Sequence, residues 1–193
     1  LLWYRGPPLD FDAWDAAGAT GWRGADVVPY FKRSEDWEGG ETEFRGAGGP
    51  LKITTSKQLH PIAQAMMDGA GELGIPIIDD PNGETNEGAT PSNFNIAEGK
   101  RWSSATGYLY PIFGEDRLTI VTESLATGLL IENRRCIGVR HIVSDETVET
   151  RANCEVVLAL GAIDTPRLMM LSGIGDAKEL GRLGIPVVAD LPG

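Results

Sequence analysis

Cysteine, histidine and positive charge are all scarce in this chain, and each shortage closes off a class of function. Only Cys136 and Cys154 occur, with no C-x-x-C pair or other ligand spacing, so no zinc site is expected. Both are read as buried, small apolar residues, the usual state of a free cysteine. The two histidines, His60 and His141, stand far apart in sequence, which argues against any metal cluster. Lys and Arg number 17 against 28 Asp and Glu, a formal charge of -11 that repels phosphate backbones and anionic lipid surfaces alike. No basic stripe relieves that repulsion, and a nucleic-acid partner is not expected. No stretch approaches the roughly 20 apolar residues that span a bilayer. The first residues lack the charged start and apolar run of a signal peptide, which favours the cytoplasm.

What the chain does contain is globular material: 41% hydrophobic and 23% charged residues sit near the averages of soluble domains and exclude a disordered or fibrous class. Its 193 residues suffice for one large domain or two small ones. The glycines fall at joints rather than in one block, as many tight turns require. Leu1 opens directly into an apolar and aromatic run, and Asp190-Leu191-Pro192-Gly193 stops in a turn, so both ends read as cut.

Patterning divides the chain. Val27, Val28 and Phe31 recur at helical spacing and predict a helix over Gly24 to Ser34, with Asp26 in the first turn and Lys32 and Arg33 in the last to match the helix dipole. Glu35 to Gly49 reads as a polar loop. Leu51 to Thr54 predicts a strand, and His60 to Leu73 a helix whose apolar face is Ile62, Ala65, Met66, Ala70 and Leu73, stopped by Gly74. A turn at Asp79-Asp80-Pro81-Asn82-Gly83 precedes a strand over Ser92 to Ile96 with Asn93 and Asn95 on one face. Ser103 to Tyr110 predicts a helix ended by Pro111. Four β-rich runs follow, Leu118 to Val121, Ala126 to Ile131, Ile137 to Val143 and Thr147 to Arg151, in the manner of a β-meander. Glu155 to Ala159 is apolar almost throughout, as a strand covered on both faces would be, and leads through Gly161-Ala162 into a helix over Thr165 to Leu171.

A buried strand that runs through Gly161-Ala162 into a helix is a geometry that brings backbone close to a dinucleotide. Alone it is a weak signal, because strand–Gly–helix joints occur in many proteins with no ligand. The full string Gly161-Ala162-Ile163-Asp164-Thr165-Pro166-Arg167-Leu168-Met169-Met170-Leu171-Ser172-Gly173-Ile174-Gly175 is far more specific. Position for position it resembles the second signature of the glucose–methanol–choline (GMC) oxidoreductases. Trp3, Gly6 and Asp12 are similar to the tail of that family's first signature. Val28-Pro29-Tyr30-Phe31-Lys32-Arg33-Ser34-Glu35, Gly49-Pro50-Leu51, the turn at Asp79 and Gly99-Lys100-Arg101-Trp102-Ser103-Ser104-Ala105 resemble further landmarks in the same order. The resemblance extends over all 193 residues.

It implies a mixed α/β and α+β fold: part of a Rossmann-like FAD-binding domain with a β-meander, plus part of a substrate-binding domain with antiparallel sheet and helices. The implied divisions are 1–49 as a flavin-covering segment, 50–115 in the substrate domain and 116–193 in the FAD domain. The implied activity is oxidation of the CH–OH group of a small-molecule alcohol, with hydride transfer to FAD and electrons passed to oxygen or another acceptor. A flavin-containing hydroxynitrile lyase and an inert fragment are the alternatives. The family's catalytic histidine is expected beyond Gly193, so no catalytic residue is assigned here, and His60 is read as a helix cap or solvent-facing residue. Leu1, Leu2, Ala126, Gly161 and Ala162 are implied as cofactor-binding. Asn93 and Asn95 are implied as substrate-pocket candidates against a solvent-facing alternative, His141 is read as an exposed strand residue, and Arg101 is set against a structural role beside an acidic neighbour.

Overall fold

The computed structural model describes residues 2–192, which form two compact units divided between Leu118 and Thr119. The class is mixed α/β, with small sheets and short helices in both. Among the described residues, no helix is long and apolar enough to cross a membrane.

In the first unit, α1 (Pro8–Ala16) starts with a proline at its first position, where the missing N–H costs nothing and φ is already set. Phe11 is its one buried residue, too little periodicity for the sequence to have marked a helix. The predicted helix α2 (Gly24–Ser34) forms over the expected residues and buries Val27. Directly after it the expected polar loop is corrected: β1 (Glu35–Trp37) pairs in parallel with β2 (Leu51–Thr55), Glu35 opposite Leu51 and Trp37 opposite Ile53. β2 is the central strand, joined on its other side by β3 (Asn93–Phe94) running antiparallel. Ile53 is fully buried beneath it. The loop between β1 and β2 is pressed against the end of α2. A Cβ on Gly46 would lie 1.8 Å from the Lys32 carbonyl oxygen, and one on Gly49 2.5 Å from that of Glu35.

Helix α3 (Pro61–Glu72) forms as predicted between the cap His60 and Gly74, whose φ of +78° suits the left-handed turn after a helix. Its predicted apolar face is uncovered, with Ile62 67%, Met66 72% and Leu73 82% exposed. The strand predicted over Ser92 to Ile96 divides into β3 and β4 (Ile96–Ala97), the latter paired with β5 (Lys100–Arg101). The helix predicted at Ser103 is instead a π-turn, Ala105–Leu109, running into a 3-10 turn, Tyr110–Ile112. Tyr110 N–H bonds five residues back to Ala105 O, and Pro111 has no N–H with which to restore the α register.

In the second unit β6 (Leu125–Glu132), β7 (Arg135–Val143) and β8 (Glu146–Arg151) form an antiparallel meander with β7 in the middle. Its two hairpin turns place Asn133, Arg134, Ser144 and Asp145 all at positive φ, the twist that tight two-residue hairpins need. Helix α4 (Gly161–Leu171) is tied to β6 through Ser172 Oγ, which accepts from Leu129 N–H at 2.9 Å and donates to Leu168 O at 2.7 Å. β9 (Ile174–Gly175), α5 (Ala177–Arg182) and β10 (Ala189–Asp190) complete the unit, β9 and β10 pairing in parallel. Leu130, Leu168 and Leu180 are its buried apolar residues.

Two predicted strands are corrected. Residues 118–121 and 155–159 form no strand among the described residues, and Val157 is 78% exposed rather than sandwiched. A strand exists only by its ladder, and an apolar run without a neighbour to exchange hydrogen bonds stays extended and open. Cys136 is half-buried and Cys154 exposed, correcting the expectation that both are buried.

Candidate functional site

The densest chemistry in the molecule lies in the first unit, in a region read from sequence as loop and turn. Glu35 and Arg45 are 0% and 1% exposed, and Asn82 and Asn93 are buried beside them. Arg45 Nε donates to Glu35 Oε1 at 3.0 Å, and its Nη1 reaches Asp80 Oδ1 and Oδ2 at 2.8 and 2.9 Å and Asn93 Oδ1 at 2.9 Å. Its guanidinium carbon stacks 3.9 Å from the centroid of the Trp37 ring. Gly46 N–H adds a bond to Glu35 Oε1 at 2.8 Å, so the carboxylate is charge-paired and hydrogen-bonded, as a buried charge must be.

β1 supplies Glu35 because parallel pairing with β2 turns its first residue inward. The tight approach of Gly46 to α2 brings the preceding Arg45 beneath it. The predicted turn at Asp79 supplies Asp80 and Asn82, with Asp80 Oδ1 accepting from Asn82 N–H at 3.0 Å. Arg5 also enters this region, donating to the Phe44 carbonyl oxygen. Burial draws its guanidinium below its ordinary pKa, opposed by the Glu35 carboxylate and reinforced by the Arg45 charge.

Of the residues singled out from sequence, Asn93 belongs to this cluster. Its Oδ1 accepts from both Arg45 Nη1 and Asn82 Nδ2, each at 2.9 Å, so its side chain faces neither solvent nor an open pocket. Asn95 is half-buried, and its backbone carbonyl takes Trp102 N–H at 2.9 Å. Leu2 is 57% exposed and bridges Phe94 in antiparallel fashion, while Leu1 lies outside the described residues. Nothing in the sequence marked Arg45, a single cation in a glycine-rich stretch without periodicity.

The remaining candidates lie in the second unit. Gly161 opens α4 at φ +86° with nothing within 4 Å of where a Cβ would stand, and Ala162 is exposed beside it. Pro166 has no N–H to give the Ala162 carbonyl four residues back, which leaves that acceptor without its usual helical donor. Ala126 is half-buried on β6 opposite His141. His141 itself corrects the expectation of an exposed residue: it is 8% exposed, with Nδ1 2.7 Å from Ser124 Oγ and Nε2 2.9 Å from Thr150 Oγ1. His60 caps α3, its Nδ1 accepting from Ile62 N–H at 3.3 Å. Arg101 is exposed and forms no ion pair among the described residues.

Comparison with known proteins places this geometry. A family model described as GMC oxidoreductase matches residues 1–187. The chain is 39% identical over 193 residues to the mitochondrial choline dehydrogenase of Homo sapiens, covering 100% of this chain and 32% of that protein. It is 40% identical to the oxygen-dependent choline dehydrogenase of Brucella anthropi, again over 100% of this chain and 35% of the relative. Among solved structures, pyridoxine 4-oxidase from Mesorbium loti superposes with a TM-score of 0.89 at 31% identity, over 99% of this chain and 38% of that one. An FAD-dependent oxidoreductase from Chaetomium thermophilum gives a TM-score of 0.87 at 28% identity, over 99% and 36% of the two chains. The chain thus spans about a third of the length of the curated relatives it matches. On the match of residues 1–187 and similarity over the whole of this chain to these relatives, the chain belongs to the GMC oxidoreductase family.

Proposed function

We propose that the protein carrying this chain is an FAD-dependent oxidoreductase that oxidises the CH–OH group of a small alcohol of the choline type. The observation that carries the reading is similarity over the whole chain to two choline dehydrogenases, with the string Gly161 to Gly175 inside it. The residues present fit a dinucleotide. Gly161 and Ala162 offer open, exposed main chain at a helix start, where backbone N–H groups point outward. We assign these two residues, with Ala126 on β6, to the ADP half of the cofactor, and Leu2 to the segment that passes over the flavin. Bound FAD would supply the two-electron acceptor for the alcohol's α-hydride. Oxygen or another acceptor would then take the electrons.

No residue of this chain is proposed as the catalytic base. His60 is engaged as a helix cap, and both ring nitrogens of His141 are taken by hydroxyl partners. The chain's own contribution is to bind the nucleotide and wall the site. Substrate contact is proposed for Asn95 rather than Asn93, whose side-chain oxygen is fully engaged.

The test is anaerobic titration of the full-length protein with choline and with simple primary alcohols while its visible flavin band is followed. Bleaching by an alcohol is the expected result. An unchanged band, with aldehyde released from mandelonitrile, would replace the oxidoreductase with a hydroxynitrile lyase.

A further inference from the structure

The buried network around Arg45 has a target. Leu2 to Arg5 joins no strand ladder; its one regular pairing is the bridge from Leu2 to Phe94, and Leu2 and Tyr4 are 57% and 50% exposed. The network nonetheless grips this segment from three directions. Glu35 Oε2 accepts from the Trp3 indole Nε1–H at 2.8 Å. Asn82 Nδ2 donates to the Trp3 carbonyl at 3.0 Å, and Asn82 Oδ1 accepts from Arg5 N–H at 2.9 Å. The Asn93 carbonyl takes Trp3 N–H at 2.9 Å. Arg45 holds Glu35 through Oε1 and the Asn93 side chain through Oδ1; Asn82 is held by Asn93 Oδ1 through its Nδ2 and by Asp80 Oδ1 through its N–H, while Asn93 meets Trp3 with its backbone carbonyl.

We infer that Glu35 and Asn82 are positioning residues that fix Leu2 to Arg5 as a wall of the flavin site, Arg45 orienting Glu35 directly and Asn82 through the Asn93 side chain, an inference that rests on the FAD reading above. A buried ion pair contributes little net stability compared with an apolar cluster of the same volume. Its distinctive yield is direction, because each bond works only at one distance and angle. Here the directed bonds all converge on a segment that has no ladder of its own. The same arrangement gives Asn93 a purpose other than substrate contact. Removing the carboxamide of Asn82 deletes both side-chain bonds to the segment's backbone together with its bond to Asn93 Oδ1, and removes no ladder bond of the sheet β1-β2-β3.

The experiment uses the full-length protein with Asn82→Ala, and Trp3→Phe as a milder variant that deletes the indole donor and keeps an aromatic ring against Phe31. Amide hydrogen exchange at Trp3 and Arg5 and the dissociation of FAD, followed by its fluorescence, are the two readouts. Loss of two hydrogen bonds predicts about a tenfold rise in exchange at those amides and about a tenfold weaker hold on FAD, with β6 to β8 unchanged. In Trp3→Phe the same changes are expected at a few-fold. If Asn82→Ala does not fold, Trp3→Phe decides alone. Unchanged exchange overturns the grip on the segment, and faster exchange with FAD held as before overturns its link to the site. A wild-type protein that binds no FAD removes the proposed function instead, and the exchange readout still decides whether the network holds the segment.

Discussion

A methyl group at Gly46 has nowhere to go, since it would stand 1.8 Å from a backbone oxygen of α2 that cannot swing aside. Gly46 N–H also binds the buried Glu35 carboxylate, so any retreat of the loop loosens that charge. Gly46→Ala should therefore cost about 3 kcal/mol or more of stability, the upper end of overpacking effects, measurable by urea unfolding. Asp36, one residue along, gives a pH prediction. The Lys52 ammonium donates to its carboxylate and Gly48 N–H adds a bond at 2.8 Å, which together hold its pKa below the ordinary carboxylate value. A depressed carboxylate stabilises the fold above its unfolded pKa, near 3.9, and that stability is lost as pH falls through the folded value. Asp36→Asn should consequently lower the urea midpoint at pH 7 and converge with wild type in strong acid. A gap that persists there would show that the lost interaction is not the charge.

At the scale of elements, local chemistry accounts for what formed. α5 is six residues long and is secured by Asp176, whose Oδ1 accepts from both Lys178 and Glu179 N–H at 2.9 Å. Asp176→Ala should cost about 1 kcal/mol, with Asp176→Ser retaining most of it, as thermal unfolding of the two variants would show. α2, α3, β2 and the meander were legible because periodicity, caps and turn residues agreed at each. β1 was not: three residues, Glu35-Asp36-Trp37, carry no alternation, and only the neighbouring β2 makes them a strand. The run from Glu155 to Ala159 failed in the opposite sense, for its composition suits a central strand but nothing among the described residues pairs with it.

For the molecule as a whole, the amount of apolar surface left open is a prediction in itself. Ile62, Met66 and Leu73 line one face of α3, and Val157 and Ile163 are 78% and 81% exposed in the second unit. Patches of this kind belong against other structure. The isolated chain should bind an apolar dye more strongly per mass than the full-length protein, and should release FAD on gel filtration. Dye binding no greater than that of the full-length protein would mean that these faces stay open in the complete enzyme as well.

The string from Gly161 to Gly175 and the landmarks before it pointed to the family, because a long run of small and aliphatic residues at fixed spacing is something a linear reading can recognise. The same reading weighed against a nucleic-acid partner from charge alone and placed α2 and α3 from their periodicity. Only the fold decided that Glu35, Arg45, Asn82 and Asn93, far apart in sequence, meet in one buried network. No spacing rule encodes that meeting. It arises because parallel pairing turns Glu35 inward, a glycine loop presses Arg45 beneath it, and a distant turn closes over both.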